Sequence, residues 1–137
     1  MKMRFVIFAI IFLPCLAWAE TDKVESQAVE AAKSWLALVD AGSYGRSWES
    51  AAGYFKRAIK KDRWEQAASA VREPLGAVVS RSLQSATYTT SLPGAPDGKY
   101  VVIQFSSSFE NKKTAIETVT PMLDKDGQWR VSGYYIK

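Results

Sequence analysis

In REPLGAVVSRSLQSATYTTSL, residues 72–92, the spacing of apolar residues changes from helical to extended. Before it, apolar residues recur every three or four positions; after it, every second position. Pro74 disfavours the helical conformation of Glu73, so a helix stops here and a strand opens at Val78. Within that strand Val79, Arg81 and Leu83 share one parity, whereas Ala86, Tyr88 and Leu92 share the other. The switch near Gln84 and Ser85 predicts a bulge or sharp bend, the usual device for curving a sheet.

The segment before the junction reads as three helices. Val24 to Asp40 carries Ala28, Ala31, Trp35, Leu38 and Val39 near one face and ends at Gly42. Ser47 to Ile59 places Trp48, Ala52, Phe55 and Ile59 on a stripe, with Ser43 or Ser47 as the cap. Lys61 to Val71 does the same with Trp64, Ala67, Ala68 and Val71. After the junction, Val78 to Leu92, Lys99 to Phe109, Thr114 to Leu123 and Gln128 to Ile136 alternate as strands joined by hairpin-sized loops. Gly133 and Pro121 mark further bends. Helices followed by a four-stranded meander predict an α+β fold, with N-terminal helices packed on a curved antiparallel sheet, as one domain over residues 20–137.

The first 19 residues read differently. Lys2 and Arg4 precede an apolar run from Phe5 to Leu16, and Ala17-Trp18-Ala19 supplies small residues where signal peptidase cuts. This order predicts export to the periplasm or beyond, with cleavage after Ala19. The run is shorter than the ~20 apolar residues of a membrane span, so no stable span is expected after cleavage. A lipid-anchored reading through Cys15 is weakened by Pro14, which stands where a small residue belongs.

Composition excludes much of enzymology. The chain of 137 residues contains no histidine and one cysteine. Cleavage removes that cysteine, and with it disulfides, thiolate metal sites and cysteine nucleophiles. Taking Lys2 and Arg4 from the 18 basic residues leaves 16 against 14 acidic, a net charge of +2. That excess gives no phosphate-tracking stripe, so no nucleic acid partner is expected. The basic cluster Lys56, Arg57, Lys60, Lys61 and Arg63 reads as a solvated surface at a helix end. Asp124, Asp126 and Gly127 resemble a fragment of a calcium loop without its closing glutamate. No metal and no cofactor is expected.

Two charges break the apolar alternation. Glu117 falls between Ala115 and Val119, and Arg81 between Val79 and Leu83. On the concave side each needs a partner: each other, Asp40, Arg72 or a tyrosine hydroxyl in a structural network. Otherwise they form a polar site, with Asp40, Tyr44, Arg72, Arg81 and Glu117 as the candidate ligand-binding set. In a catalytic version Glu117 is a general base, and Arg81 or Tyr88 stabilises developing negative charge. Trp35, Trp48, Trp64 and Trp129 read as core, and Tyr135 shares the inward parity of Trp129 and Val131.

Trp35-Leu36, Val39-Asp40-Ala41-Gly42, Tyr44 and Ser47-Trp48 resemble the opening motif of a bacterial family called domain of unknown function 4019. So do Phe55-Lys56, Arg72, Pro74-Leu75-Gly76, Ser80-Arg81, Leu92-Pro93-Gly94, Glu117 and Trp129-Arg130-Val131 with Gly133-Tyr134-Tyr135-Ile136. The resemblance spans nearly all of the mature chain and implies an exported bacterial protein without an assigned activity. More loosely, helices before a curved sheet are similar to the cone-shaped nuclear transport factor 2 and cystatin-like folds, which host enzymes, ligand binders and interaction modules alike. The expectation that follows is a non-catalytic binding or protein-interaction domain of the cell envelope, with an unknown protein or small-molecule partner. The alternative is a small lyase or isomerase built on Glu117.

Overall fold

The computed structural model describes residues 16–137, with side chains from Glu20 onward. The expected leader therefore lies outside the described residues, apart from the backbone of its last four. Four helices precede four strands: α1 Leu16–Asp40, α2 Tyr44–Glu49, α3 Gly53–Ala58, α4 Lys61–Leu75, β1 Val78–Thr89, β2 Tyr100–Phe109, β3 Lys112–Leu123 and β4 Trp129–Ile136. The strands form one antiparallel sheet in the order β1-β2-β3-β4. The sheet is open, with β1 and β4 at its edges.

The helix expected over Ser47 to Ile59 is two short helices. Ala51 and Ala52 are fully buried between them, and the Ala52 N–H donates to the Val131 carbonyl of β4 at 2.8 Å. A continuous helix would have tied that N–H to its own fourth-preceding carbonyl; the sheet takes it instead. Ser43 holds the N-cap position of α2 without a side-chain cap bond. The Ser47 hydroxyl serves the core instead, donating to the Tyr44 carbonyl and accepting from Trp64 Nε1 at 2.9 Å.

Pro74 does not stop α4, which runs one residue beyond it. The break comes at Gly76, with φ 74 and ψ −165, a conformation essentially restricted to glycine. In α1 the buried stripe is Ala28, Val29, Ala32, Trp35, Leu36 and Val39. Ala31 and Leu38 stand at its margin, only half-buried. The stripe packs with Phe55, Trp64 and Ala68 onto Val101, Ile103, Phe105, Val119 and Val131 of the sheet. Trp35 is its hub: ring centroids lie 5.7 Å from Trp64 and 5.3 Å from Tyr134.

The sheet has four register shifts; one lies between Ser107 and Phe109 where β2 pairs β3, and the other three set which residues of β1 and β4 face the helices. Between Leu83 and Ser85 the β1–β2 register shifts by one, so Arg81 and Leu83 face inward before it and Ala86 and Tyr88 after it. Val79 does not share that face, because it is the extra residue of a second shift between Val78 and Ser80 and is exposed. Leu83 is also exposed, at 48%. The third shift skips Ser132, opposite Thr120 and Pro121. It reverses the parity of β4, turning Tyr134 inward and leaving Tyr135 at 54% exposure, although in the sequence Tyr135 shares the parity of Trp129 and Val131. Pro121 has no N–H to pair, and the Ser132 hydroxyl donates to the Thr120 carbonyl at 2.7 Å.

Candidate functional site

The three register shifts of β1 and β4, together with the ends of α1 and α4, aim six polar side chains at one place. Asp40 comes from the last residue of α1, Arg72 from the last turn of α4, Arg81 from β1, Ser107 from β2, Glu117 from β3 and Tyr134 from β4. Arg81 stands directly across from Ser107, and Ser107 across from Ala115, two residues from Glu117. This places an arginine and a glutamate 36 residues apart in sequence within bonding distance.

Glu117 is 0% exposed. Its Oε1 accepts from Arg81 Nε at 2.7 Å and from the Ser107 hydroxyl at 2.5 Å. Its Oε2 accepts from Arg81 Nη2 at 3.2 Å and from the Tyr134 hydroxyl at 2.5 Å. Four donors fill the four acceptor positions of a carboxylate. Asp40 accepts from Arg81 through both terminal nitrogens, at 2.8 and 3.0 Å, and from Arg72 Nη2 at 2.7 Å. Two cations and two anions thus form a neutral, hydrogen-bonded cluster.

The titration of the cluster follows from its composition. Burial raises the Asp40 pKa, but hydrogen bonds from Arg81 and Arg72 outweigh that and hold it below the ordinary carboxylate value. Burial, reinforced by the negative charge of Glu117, pushes the Tyr134 hydroxyl far up, so it remains a donor. Burial also works against the charge on Arg81, but its two carboxylate partners overcome this and raise its pKa.

Chemically, the cluster is saturated on the Glu117 side. A general base needs a free lone pair within reach of a substrate proton, and Glu117 has neither a free lone pair nor exposure. Tyr44 and Tyr88 stand apart from the cluster. Tyr44 packs against the hydrophobic core; Tyr88 also does so, and lines a separate surface cleft with Val24 and Lys99. Tyr88 is therefore not placed to act with Glu117. The sequence allows a tyrosine hydroxyl as a partner without saying which, and does not point to Ser107; the structure supplies Tyr134 and Ser107. Ser107 shares the parity of Phe105 and Phe109, a usable signal, whereas Tyr134 was hidden by the bulge at Ser132.

Arg72 is the one member left incomplete. Its Nη2 is bound to Asp40, and its Cζ lies 5.0 Å from the Phe109 ring centroid. Its buried Nε and Nη1 have no hydrogen-bond partner. Arg72 also lines an adjoining cleft of about 240 Å³ together with Trp64, Ala68, Val71, Tyr134 and Ile136. Among the described residues, no group of three or more carboxylates is placed to hold a metal ion. Nor is any helix there long and apolar enough to cross a membrane.

The sequence profile of the family described as "Protein of unknown function (DUF4019)" matches residues 31–134. The chain belongs to this family. The match takes in all six residues of the cluster, from Asp40 to Tyr134. No curated protein and no solved structure matches the chain, so the cone-shaped fold comparison gains no support beyond the shared order of helices and sheet.

Proposed function

We propose that this DUF4019 protein is an exported, non-catalytic binding domain of the cell envelope. The observation that carries the non-catalytic half is the sealing of Glu117. The acid that would have to act as base is fully buried and holds four donors. Export is supported by the basic, apolar and small-residue order of residues 1–19. Binding is supported by the cleft beside Arg72, where buried donors lack partners next to an apolar wall.

Two measurements test this. Intact mass of the protein released by osmotic shock should correspond to a chain beginning at Glu20; recovery only of an uncleaved chain with the cytosol contradicts export. A mixed fragment library followed by NMR should give saturable shifts in the wild type that persist in Glu117→Gln wherever that variant is folded. Absence of any saturable ligand from a protein that is also monomeric contradicts a binding role.

A further inference from the structure

The cleft between α4 and β4 combines an apolar wall with buried donors that lack acceptors. Its wall is apolar: Trp64, Ala68, Val71 and Ile136, with the ring of Tyr134. Yet it includes Arg72, whose side chain is only 4% exposed and whose Nε and Nη1 go unbonded. A buried N–H without an acceptor costs about 1–3 kcal/mol, more on a charged group. The face of Phe109 compensates only in part, because a ring at 5.0 Å is a weak substitute for an oxygen.

Charge decides which acceptor fits. Arg72 and Arg81 already balance Asp40 and Glu117, so a carboxylate or phosphate entering the cleft would add an uncompensated buried anion. A neutral carbonyl oxygen supplies the missing acceptor without that cost. Its volume limits the ligand to one small ring or a short branched chain. Val71 and Tyr135 also line the cleft, at 50% and 54% exposure, and because Arg72 Nε and Nη1 are closed to solvent, an oxygen reaches them only if side chains of the wall shift.

We propose that the α4–β4 cleft binds a compact, neutral, apolar molecule through a carbonyl oxygen that accepts a hydrogen bond from Arg72. This rests on the binding-domain reading and gives it a ligand class. The probe is cyclohexanone, titrated into the ¹⁵N-labelled protein while the Arg72 Nε–H and Trp64 indole N–H resonances are followed. Cyclohexanecarboxylate and cyclohexane serve as comparisons.

Cyclohexanone should shift the Arg72 Nε–H saturably and bind about tenfold more tightly than cyclohexane, the ratio expected for one hydrogen bond to a charged donor. Val71→Trp, a substitution at a half-exposed position, should abolish the shift with the fold intact. Arg72→Lys, if folded, should reduce the preference for the ketone over cyclohexane to near unity. A silent Arg72 Nε–H overturns the proposal, as does tighter binding of the carboxylate than of the ketone. Fragment shifts elsewhere with Arg72 silent would sink this inference alone. The absence of any fragment binding, in a monomeric protein, would sink the binding-domain reading with it.

Discussion

At the level of single residues, the cluster is asymmetric. Glu117 is saturated, and Asp40 is partly open to solvent. Removing the charge of a buried carboxylate whose partners stay behind costs about 3–5 kcal/mol. Glu117→Gln should lose an amount in that range by urea unfolding, because Gln presents an NH₂ group where Ser107, Tyr134 or Arg81 already donates. Tyr134→Phe removes one donor to a charged acceptor and should cost about 1.5–3 kcal/mol. For Asp40 the sign of the pH dependence follows from its lowered pKa. Its contribution is complete above the ordinary value of 3.8 and disappears as pH falls through the lower folded-state value. The wild type should therefore lose stability more steeply below pH 4 than Asp40→Asn does, as read from acid unfolding followed by circular dichroism.

At the level of elements, the junction between α4 and β1 and the bulge in β4 give contrasting expectations for two glycines. Gly76 adopts φ 74, and a Cβ there would stand 3.0 Å from the Glu110 Cβ. Gly76→Ala should destabilise by about 1–3 kcal/mol. Gly133 has no positive φ and open space around it. Gly133→Ala should be neutral or stabilise by up to about 1 kcal/mol. Thermal melts of both variants separate the two cases.

The same elements explain how far the sequence could be read. The change of period at Gly76, the four strands and the phase switch near Gln84 were legible because each changes the local pattern over several residues. The split of α2 from α3 was not, because a tertiary bond from Ala52 to Val131 causes it and the local stripe continues through both. Arg81 and Glu117 stood out as charges on apolar parities. Tyr134 did not, because Pro121 and Gly133 announced a bend without fixing which residue of β4 would be skipped. Once Ser132 is the skipped residue, Tyr134 turns to Glu117 and Tyr135 turns to solvent.

At the level of the whole molecule, one cluster ties together α1, α4 and all four strands. The helices cover one face of an open sheet, and their apolar contacts alone are not directional. The Asp40–Arg81–Glu117 chain adds direction, since it forms only when α1, β1 and β3 are docked in register. On the reading proposed above, this chain of ion pairs holds the fold together and the buried Glu117 takes no part in proton transfer. The decisive experiment is a double-mutant cycle on Arg81 and Glu117, with urea unfolding free energies for the wild type, Arg81→Met, Glu117→Leu and the double variant. Each single variant should lose about 3–5 kcal/mol. The double variant should recover much of that, for a coupling of at least about 2 kcal/mol. A Glu117→Leu protein as stable as the wild type, or more so, would contradict the claim, because it would mean that Glu117 is kept at a cost to stability, as functional groups are.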